Sequence, residues 1–189
     1  FLIYGDINTI SGGYLYDRKI IEYLRLQGDK VTIINLKQNN YFQDILSNQT
    51  ENIINTSDFD ILIEDELIHP SVFKTNRILN TKLPVISLVH LFRSFSTQPN
   101  YINWFYQFIE KKYLSSVNGI ILNSKSTQEQ ARQLMRGNLA DNIIALPAGN
   151  NFLNSTLDRI NSLKRLAPQP LRILYIGNVI QQKGLHILL

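Results

Sequence analysis

Cysteine is absent from the 189 residues, which excludes disulfides, thiolate catalysis and Cys-ligated zinc. No apolar run approaches the ~20 residues a membrane-spanning helix needs, and no basic-apolar-small signal pattern opens the chain. Repeats of solenoid length are missing. Neither sign of charge dominates: 19 Lys and Arg against 15 Asp and Glu leave a net +4. That excess is too diffuse to argue for a nucleic-acid partner; it fits anionic small molecules or an anionic membrane surface, and ordinary surface lysines are its preferred reading. What is present is a core-forming composition, with 44% hydrophobic and 18% charged residues, enough for one domain of ordinary size with a fragment of a second. The chain opens on Phe1 within an apolar run, so a few residues are expected to precede it.

Short apolar runs alternate with helical patterns. Strands are predicted over residues 1–4, 31–36, 61–64, 84–89, 119–122 and 143–146. Helices are predicted over 14–27, where Ile20, Ile21 and Leu24 share a face and Gly28 stops the run, and over 71–79, 101–115 and 126–135, the last opening near Ser126 or Thr127. Residues 41–55 read as a short helix followed by a polar stretch, and residues 93–100 as a polar loop. Strands apolar on both faces and separated by amphipathic helices specify a parallel sheet covered on both sides by right-handed crossovers. The expected fold is α/β, a Rossmann-like doubly wound parallel sheet over residues 1–150. Residues 151–170, ending in Pro168-Gln169-Pro170, read as a linker. Residues 171–189 read as the first strand and turn of a second, truncated domain.

Ligands of such sheets bind at the carboxyl ends of the strands, so residues there are the candidates. The first strand-to-helix loop carries Ser11-Gly12-Gly13 before Tyr14. Glycines there let a phosphate or sugar approach a helix N-terminus, although a plain turn uses glycines too. The spacing is not G-x-G-x-x-G, and the second strand ends in Leu36-Lys37 rather than in an acid for a ribose, which disfavours a nicotinamide oxidoreductase. His90 follows the fourth strand and is either a binding residue or a structural one. His69, before Pro70, reads as a loop or capping residue. Glu64, Asp65 and Glu66 close the third strand without a recognised metal-ligand spacing. Asp65 and Glu66 read as a solvated edge, and Glu64 as the residue nearest the cleft. The segment from Trp104 to Leu114 is aromatic and basic; packing on the sheet is its preferred reading and a membrane surface its alternative. In the last segment, Lys183 lies six residues beyond Gly177 and just before Gly184, after a strand. It is either a diphosphate-binding lysine or a surface one.

Taken together, Ser11-Gly12-Gly13, His90, the run from Val117 to Ser124, Pro147-Ala148-Gly149-Asn150, and Ile173 to Lys183-Gly184 resemble the GT-B glycosyltransferases of the retaining family 4 type. The resemblance covers essentially the whole chain. It implies a retaining, nucleotide-sugar-dependent glycosyltransferase of hexosyltransferase type, with an N-terminal acceptor-binding domain and a C-terminal donor-binding one. Gly12 and Gly13 would lie against donor phosphate and acceptor, and His90 would line the sugar site as the catalytic residue. Gly177, Asn178, Lys183 and Gly184 would hold the donor diphosphate. Ser11, Tyr14 and Glu64 would face the acceptor. Asn178 stands where the family usually has arginine, and the family's Glu-x7-Glu pair would follow Leu189.

No metal and no cofactor is implied. The expected partners are a nucleotide-sugar donor and a sugar, lipid or small-molecule acceptor, in a cytoplasmic setting with a peripheral membrane contact admitted. A chain ending at Leu189 would lack most of the donor site and is expected to be inactive alone. The competing reading is a non-catalytic Rossmann-like domain that binds a sugar or nucleotide.

Overall fold

The computed structural model describes residues 1–47, 50, 58–147, 174, 175 and 185. The chain divides into two units, Phe1–Pro147 and Ala148–Leu189, and the fold below is that of the first. The predicted linker and the predicted second-domain start lie almost wholly outside the described residues, as do Ala148, Gly149 and Asn150.

Six strands form one sheet: β1 Leu2–Tyr4, β2 Ile34–Leu36, β3 Leu62–Asp65, β4 Val85–Val89, β5 Gly119–Leu122 and β6 Asp141–Ile144. Every pairing is parallel, in the order β2-β1-β3-β4-β5-β6. The α/β class and the covered parallel sheet expected from the apolar runs are therefore observed, and the architecture is compatible with a Rossmann-like domain. Among the described residues of this unit, the α-helices are α1 Gly12–Leu26, α2 Tyr41–Leu46, α3 His69–Val72, α4 Asn76–Leu79, α5 Asn100–Leu114 and α6 Lys125–Met135.

The strand order reverses between β1 and β3, and right-handed crossovers then place helices on opposite faces. On one face α1 packs Tyr14, Ile20 and Ile21 against Ile3, Leu88 and Ile121. On the other, Leu2, Tyr4, Leu62, Val85 and Ile120 meet Val72, Ile109, Tyr113 and Leu134 from α3, α5 and α6. Leu2, Ile3 and Tyr4 are fully buried, each contributing about 1.5–3 kcal/mol relative to an exposed position. The face that α1 covers is the less protected one. Ile143, in register with Ile121, is 61% exposed there.

Several boundaries differ from the sequence reading. Helix α1 begins at Gly12, because the Ser11 hydroxyl caps it by accepting from the Tyr14 N–H at 3.1 Å. The glycines thus form the first helical turn and not the loop. Helix α6 is capped by Ser124, whose hydroxyl accepts from Thr127 N–H, and ends on Arg136 in the left-handed region at φ 52°. Strand β6 lies two residues earlier than predicted, since the parallel ladder pairs Asp141 with Gly119. The helix predicted over 71–79 is two short helices, α3 and α4, preceded by a 3₁₀ turn over Glu66–Ile68. Asn76 opens α4 and turns its amide onto Glu64 at 2.8 Å, a tertiary bond that local periodicity does not encode.

Candidate functional site

At the carboxyl end of the central strands, β4 delivers His90 and β3 delivers Asp65 and Glu66, while the second turn of α1 delivers Asp17. His90 Nε2 lies 2.8 Å from Asp17 Oδ1. The Asp17 carboxyl thereby holds the imidazole at its Nε2 atom. The Asp17 side chain is fully buried, whereas that of His90 keeps 12% of its surface. The ring is one of the few parts of the cluster a ligand could touch.

The His90 backbone is held from both sides. Its N–H donates to Glu66 Oε2 at 2.9 Å, and its carbonyl accepts from Asn123 Nδ2 at 3.0 Å. Asn123 is itself fixed by Thr127 Oγ1, which donates to Asn123 Oδ1 at 2.7 Å. The Asn123-Ser124 pair therefore caps α6 and clamps the loop after β4. Tyr16 packs edge-on against the His90 ring with centroids 5.1 Å apart, and its hydroxyl donates to the Ala145 carbonyl.

The glycines border this imidazole. A Cβ on Gly13 would lie 3.4 Å from His90 Cδ2, while one on Gly12 would meet nothing within 4 Å. Gly13 leaves the ring edge uncovered, and Gly12 leaves open space beside it. The first N–H groups of a helix have no intrahelical acceptor, so those of Gly12 and Gly13 are directed to this end of the sheet. The preceding loop is shaped by Arg18, which donates to the carbonyls of Ile7 and Thr9 at 2.5 and 3.3 Å. Asp6 adds a local turn by accepting from the Asn8 N–H at 2.9 Å.

The electrostatics are unusual. Asp17, Asp65 and Glu66 are all buried. Burial, then the nearby Asp17 charge, pushes the Asp65 carboxyl up to about 7. Burial, then Asp65, raises Glu66 well above the ordinary carboxylate range. The outer oxygens Asp17 Oδ2 and Asp65 Oδ2 have no hydrogen-bond partner among the described residues. Such a group balances its charge with retained protons or with a cation. Asp17, Asp65 and His90 place one ligand atom each within 4.8 Å of one another, and theirs is the sole such trio among the described residues.

The sequence-predicted residues thus separate. Ser11, Gly12, Gly13 and His90 come together at the carboxyl edge. Tyr14 stands in the same turn, but its hydroxyl donates to the Tyr4 carbonyl at 2.8 Å and its ring packs on the core. Glu64 does not join them. It points to the opposite face of the sheet, wholly buried, so no acceptor reaches it, and burial pushes its carboxyl up to about 7. Asp65 and Glu66 are not the solvated edge expected of them; both are dry and lie beside His90. His69 is the capping residue expected of it, closing the 3₁₀ turn with its backbone N–H on the Glu66 carbonyl. Its ring is buried and bonded to the Tyr41 hydroxyl at 2.7 Å and to the Glu66 carbonyl at 2.8 Å. Gly177, Asn178, Lys183 and Gly184 lie outside the described residues.

Asp17 and Asn123 were missed as functional candidates. Asp17 sits four residues before Ile21 on the buried side of α1, and an acid on an apolar helical stripe is the signal that could have found it. Comparison with family models, curated proteins and solved structures returns no match.

Proposed function

We propose that this chain supplies the acceptor side of a GT-B-type retaining glycosyltransferase, which moves a sugar from a nucleotide-sugar to an acceptor hydroxyl. The observation that carries the reading is His90: an imidazole fixed at Nε2 by Asp17, clamped at both backbone groups, and bordered by Gly13 at a helix N-terminus. A sugar hydroxyl seated at this edge would meet the exposed part of the imidazole. Its neighbouring phosphate would meet the N–H groups of Gly12 and Gly13 and the positive end of the α1 dipole.

In this scheme the residues act by orientation and charge. Asp17 holds the imidazole, and the α1 amides stabilise charge that grows on the departing diphosphate. The acceptor hydroxyl attacks the anomeric carbon on the face the diphosphate leaves, the glycosidic bond forms as the sugar–phosphate bond breaks, and the acceptor proton passes to the departing phosphate oxygen. By the same resemblance Gly177, Asn178, Lys183 and Gly184 would bind donor diphosphate, and the cytoplasmic pool of nucleotide-sugars would supply the donor.

The test is a radiolabelled transfer assay over a panel of nucleotide-sugars and acceptor hydroxyls in the intact protein, with His90→Gln as control. Glutamine keeps a donor for Asp17 but removes the imidazole, so transfer should fall about 100-fold while the fold survives. Undiminished transfer in His90→Gln would remove His90 from the reaction. Transfer is expected to be indifferent to EDTA; a loss restored by a divalent cation would instead assign Asp17, Asp65 and His90 to a metal.

A further inference from the structure

Helix α5 was expected to turn its aromatic residues onto the sheet, and half of it does. Ile109, Tyr113 and Leu114 are buried. The remainder of its apolar surface faces outward. The exposed large apolar residues of the helix are Tyr101, Trp104 and Phe108, at 74%, 69% and 46%. Their spacing of three and four places them on one stripe, and Trp104 and Phe108 stack at a centroid distance of 6.3 Å.

The stripe continues onto α2. Phe42 stacks on Phe105 at 5.4 Å, and Phe42 and Leu46 are themselves mostly exposed. A solvated helix carries charge on its outer side. Here no exposed residue of α2 or α5 is acidic: Asp44 and Glu110, the acids of these two helices, are buried. Among the described residues of α2, α5 and the turn before α5, the accessible charges are basic. Lys112 lies over the Phe108 ring at 4.8 Å with Lys111 beside it, and Arg93 lies over the rings of Tyr41 and Tyr106 at 5.3 and 5.1 Å.

Single exposed apolar residues need no account, but a contiguous group with a border of one charge sign marks an interaction surface. Aromatic residues including tryptophan, flanked by lysine and arginine, match the boundary between headgroups and acyl chains. A second copy of the chain would fit poorly, since identical basic borders would be brought face to face. We propose that the α2–α5 surface docks on an anionic phospholipid bilayer, with Trp104, Phe108, Phe42 and Leu46 entering the interface and Lys111 and Lys112 meeting the headgroups. Helix α5 starts at the carboxyl end of the sheet, so docking sets the His90 edge near the membrane plane. The proposal does not depend on sugar transfer: vesicle binding is measured without any donor or acceptor.

Trp104 is the only tryptophan in the sequence and reports on its own surroundings. The intact protein is titrated with vesicles of phosphatidylcholine, with and without phosphatidylglycerol, and with lipids brominated along the acyl chain. The expected result is a blue shift and bromine quenching of Trp104 with the anionic vesicles, weakened by salt. Neutralising Lys111 and Lys112 to Gln should reduce vesicle affinity about fivefold per lysine, and Phe108→Ser should reduce it further, with far-UV circular dichroism of both variants matching the parent. Three results would overturn the proposal: no quenching by either lipid, binding equally strong to neutral vesicles, or a blue shift that grows with protein concentration in the absence of lipid. The last of these would assign the surface to a second copy.

Discussion

His69 and His90 invite comparison, since each follows a central strand and each is tied to Glu66. The Glu66 carbonyl accepts from His69 Nδ1, and the Glu66 carboxyl accepts from the His90 backbone N–H. Their surroundings then diverge. His69 has neutral partners, a peptide carbonyl and the Tyr41 hydroxyl, in a dry site. A carbonyl can only accept, so Nδ1 carries the proton and Nε2 accepts from Tyr41. Burial pulls the pKa of this imidazole down to about 4, and it remains neutral. His90 has a carboxylate partner, an uncovered edge and a glycine for a neighbour. Position after a strand does not distinguish the two histidines; the charge of the partner and the space beside the ring do.

Breaking the structural member should have the largest effect. His69→Ala removes a buried ring and leaves the Tyr41 hydroxyl and Glu66 carbonyl without their partner. Unfolding in urea should register a loss of about 3–4 kcal/mol; a loss below about 1 kcal/mol would mean the site collapses freely. Breaking the other member should hardly touch stability. His90→Gln should unfold within about 1 kcal/mol of the parent, which separates its expected loss of transfer from misfolding.

The same contrast recurs between the adjacent acids Glu64 and Asp65, which face opposite sides of the sheet. Glu64, with its folded pKa raised to about 7, contributes stability that is fully present below the unfolded carboxyl value of about 4.5 and is lost as pH rises through 7. Glu64→Gln keeps the acceptor for Asn76 and removes the ionisation. It should therefore exceed the parent by about 3 kcal/mol at pH 8 and equal it at pH 4. His69 works in the opposite sense: its contribution is present above about 6.5 and is lost as pH falls towards 4. Acid destabilisation over that window should accordingly be steeper in Glu64→Gln than in the parent. A parallel pair of pH curves would show that Glu64 is already ionised in the fold. Another small effect belongs to the helix cap. Ser11→Ala should cost about 1 kcal/mol by leaving the Tyr14 N–H without its acceptor, read as a small drop in thermal midpoint.

The sheet was legible because its strands are short, apolar on both faces and bounded by breakers. Residues 119–122 were located to the residue, with Gly119 marking the entry where a Cβ would meet Ile86 at 2.9 Å. His90 and the glycines of the first turn were legible from position alone. The remainder depended on contacts distant in sequence. Asp17 gains its partner only when His90, 73 residues away, comes to it. Asp65 and Glu66 read as solvated until the fold buries both and brings the His90 N–H onto Glu66. The exposed aromatics of α5 had the composition of a core, and nothing local says which side of a helix will find neighbours.

Glu66 gives the molecule a built-in reporter. One residue holds a histidine through its carbonyl and another through its carboxyl, so a displacement of the loop after β4 has a short route to the buried ring of His69. The chain contains three histidines, few enough for their imidazole nitrogens to be resolved in a single NMR spectrum. A ligand that never leaves the surface beside His90 should move the resonances of His69 as well, and the size of that second displacement would measure how stiffly the turn between β3 and α3 joins the cleft to the core.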